Sequence, residues 1–310
     1  MSSVTPNEQL EEAVRFLLCN QDADGAWRDF RLRPGRSDAW TTAFVALRLF
    51  SAARDDLRRR VECSLSRAID FLQNAREPHG GWAYNRRCPA DADSTSCVLL
   101  FLHAVSARRY PKDYAALARF QLVNGGFATY RFSDSNHAWC TAHPEVTATS
   151  LRALGNFLPK DHFRIRNGIA WLSKYLSRNR NSTSYWWLSP RYLAIEVREL
   201  RRAIPALPPC GEVSVRHRGY FDLALSLELE PSRVPGDERL AELLATQCGD
   251  GGWPSSPILR VPDPRRLSDH TIAPVATDTS RLMTTAAAVS ALCANAQQRV
   301  KRRGSRPTAA

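Results

Sequence analysis

Residues 78–105 read PHGGWAYNRRCPADADSTSCVLLFLHAV and contain the pattern from which the fold is predicted. It begins with a glycine pair closed by an aromatic residue, continues through a polar box, and ends in an apolar segment rich in small residues. A helix that is apolar on nearly all sides is buried on both flanks. The stretch therefore predicts an inner helix that follows a glycine–aromatic turn.

The same kind of turn recurs along the chain as DADGAW (22–27), NGGF (124–127) and GDGGW (249–253). Trp27 and Trp82 are 55 residues apart, and Trp82 and Phe127 are 45 residues apart. A period of about 50 residues is in the range of helical-hairpin repeats.

Each repeat contains two kinds of helical segment. Segments before the turns are amphipathic, as in EQLEEAVRFLL (8–18), whereas segments after them are apolar, as in DAWTTAFVALRLF (38–50). An outer ring of amphipathic helices around an inner apolar ring is an all-α fold, an α/α toroid (alpha-alpha six barrel) of about six hairpins. RYLAIEV (191–197) is assigned to an inner helix and VRELRRAI (197–204) to an outer one, although no break separates them. TYRF (129–132) or ILRV (258–261) is expected to form a brief strand at most.

Composition and charge bound the class of protein. The 310 residues are 44% apolar or aromatic, enough for one large core, and the net charge is +12. Residues 296–310 hold five basic residues and no acidic one, which predicts a disordered, solubilising tail after a single domain over 1–295. We expect no nucleic-acid partner and at most peripheral membrane contact, and the oligomeric state stays open.

Targeting features point to the cytoplasm. No window approaches 18 uninterrupted apolar residues, so no spanning helix is expected. The first residues, MSSVTPNEQLEEAVRFLL, carry acids where a signal peptide carries Lys or Arg. The eight cysteines form no CxxC pair, which favours small core residues in a reducing compartment.

Carboxylates recur at the predicted starts of the inner helices. Asp38 follows Trp27 by eleven residues and Asp93 follows Trp82 by eleven, while Glu145 precedes Leu154 by nine, as the other two precede their own leucines. This spacing predicts one shared position in three repeats. Helix capping explains Asp38 sufficiently, and Glu145 after a proline suits a first helical turn.

Asp91 and Asp93 form a closer pair in the box PADADSTSC. Two carboxyl groups near one helix start cannot both ionise cheaply when they are partly buried, so one of them has a raised pKa. A carboxyl group with a raised pKa is suited to general acid catalysis.

At these residues the sequence resembles the terpene cyclase and prenyltransferase-repeat superfamily. The turns resemble its QW motifs, as Gln21–Trp27, Gln73–Trp82, Gln121–Phe127 and Gln247–Trp253. The box Asp91-Ala92-Asp93-Ser94-Thr95-Ser96 resembles the DxDD(T)(A/S) motif of class II cyclases such as squalene–hopene cyclase. The resemblance covers residues 8–295, and Ser94 departs from it where bacterial squalene cyclases have a third Asp.

The resemblance implies a protonation-initiated cyclase or isomerase. Asp93 would be the catalytic acid, and Asp91 and His143 would tune it, His143 resembling the family's acid-orienting histidine. Squalene cyclases have two toroids, so a single toroid implies a terpenoid smaller than squalene. No cofactor would be required, with Mg²⁺ serving only as counter-ion if the substrate is a diphosphate.

Two other functions stay open. One is a non-catalytic toroid that binds a prenyl chain or a protein, and the other is a protein like the prenyltransferase β subunits, which bind zinc. The chain lacks their Asp-x-Cys ligands. His137, Cys140 and His143 in HAWCTAH are spaced for one helical face, but Pro144 places them in a loop, so no metal site is expected.

Aromatic residues cluster where the inner helices are predicted to begin, and aromatic faces stabilise carbocations. We expect a substrate-binding set, against the alternative of core filler, that comprises Trp40, Phe44, Trp139, Trp186, Trp187 and Tyr220. Trp27, Trp82 and Trp253 in the turns are expected to be structural.

Arginines are frequent in the loops that lead to inner helices, and a rim of one charge favours an anionic head group such as a prenyl diphosphate or a prenylated acid. Ordinary surface charge is the alternative. Arg36 and Arg87 are the chosen substrate-binding candidates from a set that comprises Arg28, Arg31, Arg33, Arg36, Arg86, Arg87, Arg131, Arg260, Arg265 and Arg266.

Overall fold

The computed structural model describes residues 5–52, 56–105, 110–132, 137–179, 183–211, 216–234, 236–265 and 273–304. These residues contain eleven α-helices and two short β-hairpins. In chain order the helices are α1 (Pro6–Cys19), α2 (Ala39–Ala52), α3 (Asp56–Asn74), α4 (Ala92–Val105), α5 (Pro111–Ala118), α6 (Pro144–Gly155), α7 (Phe163–Arg178), α8 (Pro190–Ala203), α9 (Tyr220–Leu229), α10 (Glu238–Ala245) and α11 (Leu282–Gly304).

Six of these helices form a closed inner ring. Contacts run from α2 to α4, α6, α8, α9 and α11, and α11 packs again on α2. The outer helices α1, α3, α5, α7 and α10 pack on inner neighbours. The fold is the predicted all-α, α/α toroid.

Three of the glycine–aromatic turns join an outer helix, α1, α3 or α10, to the inner helix that follows it. The indole N–H of Trp27, Trp82 and Trp253 donates to the carbonyl oxygen ten residues earlier, at 2.6–2.7 Å. Gly25 has a φ of +92°, and a Cβ there would lie 2.2 Å from the Arg67 carbonyl oxygen. The fully buried tryptophans and these glycines are therefore structural.

Two antiparallel hairpins lie before inner helices. Strands β1 (Asp29–Leu32) and β2 (Gly35–Ser37) precede α2, and strands β3 (Pro257–Arg260) and β4 (Val275–Thr277) precede α11. The expected strand at ILRV is thus present as β3, whereas TYRF forms no strand and the first hairpin was not predicted.

The predicted outer helix over 197–204 is wrong. Those residues continue α8, which starts at Pro190 and extends to Ala203 because no glycine or proline interrupts it before Pro205. No helix follows α8 before α9 in the described residues 204–211 and 216–219.

The chain end and the cysteines also differ from expectation. The predicted boundary after residue 295 falls inside α11, which extends to Gly304, and residues 305–310 lie outside the described residues. All eight cysteines are free, but only Cys97 is buried, and Cys19 and Cys63 are exposed, so the core prediction is wrong for most of them. None of the described helices has the length and apolar character that crossing a membrane requires.

Candidate active site

The four turns are joined to the inner helices by the same hydrogen bond, and this bond aligns the repeats. The backbone N–H of the turn aromatic donates to a threonine Oγ1 at 2.8–3.1 Å, in the pairs Trp27–Thr42, Trp82–Thr95, Phe127–Thr147 and Trp253–Thr285. The spacing within the pair is 15 residues in the first repeat but 13 in the second. Loop length therefore differs between repeats, and counting from the aromatic misaligns them.

Counted from the threonines, Asp38 corresponds to Asp91, and Asp93 corresponds to Trp40 and Glu145. The prediction that Asp38, Asp93 and Glu145 share one position is therefore wrong for Asp38. Asp38 and Asp91 directly precede the first helical turn, where Asp is a favoured cap.

Asp91 is a buried capping residue. Its Oδ1 accepts the backbone N–H of Ser94 at 2.7 Å, and its Oδ2 accepts the Ser94 hydroxyl at 2.8 Å. Burial raises the pKa of Asp91 to about 7 although the bonds from Ser94 oppose that shift. Ser94, which departs from the family motif, thus supplies donors to Asp91 where a third Asp would add a charge.

Asp93 lies in the first turn of α4 and lines a cavity. Its side chain accepts no hydrogen bond from a described residue, and part of its surface is open to the cavity. Burial raises the pKa of Asp93 well above its ordinary value, and the charges of Asp91, Glu145 and Glu196 raise it further. The raised pKa favours the neutral, protonated form of Asp93, and its carboxyl group has no hydrogen-bond partner among the described residues.

Glu145, at the corresponding position of α6, has a different environment. It is fully buried, and its Oε1 accepts the backbone N–H groups of Tyr185 and Trp186, both at 2.7 Å. Burial raises the pKa of Glu145 to about 7. Glu145 is absent from the cavity wall that the described residues form.

His143 precedes α6 and is buried behind the wall. Its ring stacks on Tyr185 with a centroid distance of 3.9 Å and an interplanar angle of 21°. It does not line the cavity among the described residues, so the structure places it beside Tyr185 rather than at the mouth.

The cavity has a volume of about 1150 Å³ and an aromatic wall. Trp40 meets Trp187 edge-on at 5.4 Å, and Trp139 lies 5.3 Å from Trp186. The indole N–H of Trp186 donates to Thr129 Oγ1 at 2.7 Å, and that of Trp139 to the Pro262 carbonyl at 3.0 Å. These four tryptophans line the cavity, and their binding of a substrate stays a prediction.

Phe44 and Tyr220 lie outside the wall that the described residues form. Phe44 packs 6.1 Å from Trp187, with the Arg48 guanidinium 3.8 Å from its ring centroid. Tyr220 is a partly buried residue at the start of α9. Phe44 thus packs behind the cavity wall on Trp187, whereas Tyr220 packs against the hydrophobic core.

Tyr84 and Tyr130 line the cavity but were not predicted. Each follows a turn aromatic by two or three residues, so the repeat itself contained the clue. Burial raises the pKa of both phenols, which therefore stay neutral hydrogen-bonding groups.

Four of the predicted rim arginines line the cavity, namely Arg31, Arg33, Arg87 and Arg260. Arg36 does not, because its guanidinium donates to the Arg28 carbonyl and to Ser280 Oγ. Arg86 is exposed outside the wall, and Arg266 lies outside the described residues. The others bond elsewhere: Arg28 to Asp22 and Asp24, Arg131 to two carbonyls, and Arg265 to Asp263.

The described residues contain no cluster of three or more His, Cys, Asp or Glu arranged to hold a metal ion. His137 packs edge-on against Trp139 at 5.2 Å, and Cys140 ends a single 3₁₀ turn, Ala138–Cys140. His137, Cys140 and His143 are thus not gathered into a tetrahedral set.

Comparison with known proteins places the fold. No protein-family model matches the sequence, and no curated protein sequence matches it either. Among solved structures, the chain is similar to type II terpene cyclase MstE from Scytonema, with 25% identity, a TM-score of 0.78, and coverage of 94% of this chain and 98% of that one. That cyclase is also known in complex with geranylgeranyl dihydroxybenzoate, its substrate.

Two further structures have the same fold. A protein from Actinoplanes is 26% identical, with a TM-score of 0.78 over 94% of this chain and all of that one. The ent-copalyl diphosphate synthase from Streptomyces platensis is 18% identical, with a TM-score of 0.55 over 83% of this chain and 50% of its own length. One fold supports many chemistries, so the function has to be argued from the site.

Proposed function

We propose that the chain is a class II, protonation-initiated cyclase or isomerase of a terpenoid smaller than squalene. The observation that carries the proposal is Asp93, a carboxyl group with a raised pKa and no hydrogen-bond donor among the described residues, in the wall of an aromatic cavity. Alkenes are weak bases, so their protonation needs an acid whose proton no other acceptor holds.

The proposed first step is one proton transfer. The proton of neutral Asp93 moves to an alkene carbon, the π electrons form the new C–H bond, and positive charge develops on the adjacent carbon. Further alkenes attack that cation to close rings, and loss of a proton at the end restores neutrality. Asp93 regains its proton from solvent, so the overall reaction is an isomerisation without redox change.

The aromatic wall suits the charge that this reaction develops. Trp40, Trp139, Trp186 and Trp187 offer ring faces, and cation–π attraction is worth about 2 kcal/mol or more in a desolvated site. The indole N–H groups of Trp139 and Trp186 are already bonded to protein acceptors. These four tryptophans therefore stabilise a cation without themselves offering a strong nucleophile that would trap it.

The volume of the cavity and the arginines in its wall bear on the size and charge of the substrate. Its volume of about 1150 Å³ exceeds the ~300–1,000 Å³ typical of pockets for drug-sized ligands. Arg31, Arg33, Arg87 and Arg260 favour an anionic head group. MstE acts on a prenylated dihydroxybenzoate, which supports a prenylated acid or a prenyl diphosphate for this chain.

The open cavity that Asp93 lines supports this proposal over its rivals. A toroid that acts only as a scaffold would be expected to fill its centre with side chains, whereas this centre is open. A prenyltransferase β subunit would need a zinc site, for which the described residues supply no cluster.

The test is to incubate the purified protein with C10 to C20 prenyl diphosphates and prenylated hydroxybenzoates and to search by mass spectrometry for products of unchanged mass. We expect an isomer from wild-type protein and none from Asp93→Asn. Conversion by the Asp93→Asn variant at the wild-type rate would remove Asp93 from the mechanism, and binding of a substrate without conversion would favour the scaffold.

A further inference from the structure

The segment 184–188 forms one side of the cavity and carries Trp186 and Trp187. On its outer edge it pairs with β3: the Arg260 N–H donates to the Trp186 carbonyl at 2.7 Å, and the Leu188 N–H donates to the Ile258 carbonyl at 2.8 Å. The Arg260 guanidinium also donates to the Ser184 carbonyl at 2.8 Å. These bonds fix only one edge of the segment.

Glu145 fixes the other edge. One oxygen, Oε1, accepts two consecutive backbone N–H groups, those of Tyr185 and Trp186, at 2.7 Å each. The second oxygen, Oε2, is buried and has no hydrogen-bond partner among the described residues. A buried carboxyl group with a spare oxygen is costly, and the two amide hydrogen bonds to Oε1 are the contacts that offset this cost.

The alignment of the repeats allows Glu145 to be compared with Asp93. Glu145 has the same place in α6 that Asp93 has in α4, but its longer side chain reaches the backbone of the next segment instead of the cavity. His143 supports the same segment from the side, because its ring stacks on Tyr185.

We infer that Glu145 is a positioning residue. By accepting hydrogen bonds from the Tyr185 and Trp186 amides, it holds the Trp186 ring where it contacts the reacting chain. Its consequence for catalysis rests on the proposed function. Trp186 would contribute cation–π stabilisation only when the charge develops, so loss of its position should lower kcat more than it changes KM.

The first arm of the test needs no substrate. In a nitrogen-15 NMR spectrum, the Tyr185 and Trp186 amides should lie at low field and exchange slowly with solvent. Glu145→Gln should keep both features because its carbonyl oxygen still accepts, whereas Glu145→Ala should lose them. Unchanged amide signals in a folded Ala variant would overturn the inference.

The second arm is a double-mutant cycle with Trp186→Ala. We expect Glu145→Ala to reduce kcat about tenfold or more, as cation–π energies of that size imply, and to add little in the Trp186→Ala background. Additive losses would overturn the inference, because Glu145 would then act independently of Trp186. Glu145→Gln should retain at least about a third of wild-type kcat and the wild-type product ratio.

The inference stays testable if Glu145→Ala does not fold or if the wild-type protein is inactive. If Glu145→Ala does not fold, the test rests on the wild-type amide signals and on the product ratio of the Glu145→Gln variant. Wild-type Tyr185 and Trp186 amides that exchange rapidly with solvent would overturn the inference, and so would a product ratio that differs between Glu145→Gln and wild type. If wild-type protein converts no substrate, the proposed function fails, but the NMR arm still tests whether Glu145 holds the segment.

Discussion

The first and second repeats share the same local structure but place different side chains at one equivalent position. In both, a turn tryptophan donates to a threonine of the following inner helix, and an aspartate precedes that helix by one residue. Two residues further on, the first repeat has Trp40 and the second has Asp93. One position thus supplies an aromatic wall in α2 and an acidic group in α4.

The environment of the aspartates differs as well. Asp38 is half-buried, and the adjacent Ala39 N–H, at 2.5 Å, is the one donor to its side chain among the described residues. Asp91 is fully buried and binds Ser94 through both oxygens. Burial, neighbouring charge and an open cavity coincide at Asp93 and not at Asp38, which is why catalysis is proposed for Asp93 alone.

The largest effect is expected for Asp93→Asn compared with Asp38→Asn. The amide preserves the shape of Asp93 but has no acidic proton, so turnover should fall at least about 10³-fold with an unchanged fold. Asp38→Asn should change the free energy of unfolding by about 1 kcal/mol or less and retain activity. Steady-state kinetics and thermal denaturation of both variants measure this, and equal activity losses would break the comparison.

The rim arginines provide the second contrast. Arg87→Ala should raise KM by about 10- to 100-fold with a smaller effect on kcat, because a charge-assisted hydrogen bond of ~1.5–3 kcal/mol holds the head group equally in ground and transition states. Arg36→Ala should leave KM unchanged, since Arg36 bonds to Arg28 and Ser280. High salt should imitate part of the Arg87 effect. If neither variant alters KM and salt has no effect, the substrate is an uncharged lipid.

The pH dependence of stability gives a smaller contrast. Burial raises the pKa of Asp91 to about 7, so the folded state holds a proton that the unfolded chain releases near pH 4. This stabilisation is complete below pH 4 and is lost as the pH rises towards 7. Asp91→Asn should flatten the fall in melting temperature between pH 5 and 8 more than Asp38→Asn does. An equal change in both variants would contradict the difference in burial.

The pH dependence of kcat should also show a decrease as the pH rises. The proposed acid must be protonated, and the pKa of Asp93 is raised, so kcat should be retained at neutral pH and decline only on the alkaline side. A rate that rises from pH 6 to 9 would indicate a base and not an acid. Initial rates over this range with a fixed saturating substrate provide the measurement.

The smallest effect is expected from chelation. Proton transfer from Asp93 uses no metal, so prolonged treatment with a chelator should leave the fold and the turnover of a carboxylate substrate unchanged. A diphosphate substrate serves as the contrast, because Mg²⁺ is proposed there as a counter-ion. Loss of folding on chelation would return His137, Cys140 and His143 to consideration as a metal site.

Much of the fold could be predicted because its determinants are local. Glycine pairs closed by aromatics and apolar segments such as 92–105 predicted the turns and the inner ring. Asp93 and the tryptophans at 40, 139, 186 and 187 were singled out by their position near helix starts and do line the cavity, while their catalytic and binding roles stay predictions. The end of α8 was missed because helical periodicity cannot show whether two helical segments are separate or continuous.

The amino-acid sequence by itself determined the toroid, its repeated turns and the acidic box at the start of α4, since each depends on residues close together in the chain. The tertiary structure was needed to show which of these carboxyl groups lacks a hydrogen-bond partner among the described residues. Loop length shifts Asp38 into register with Asp91, Ser94 binds Asp91, and two backbone amides from residues 185 and 186 bind Glu145, which leaves Asp93. These are contacts between repeats, and a side chain's hydrogen-bond partners and burial are set by segments that sequence spacing does not bring together.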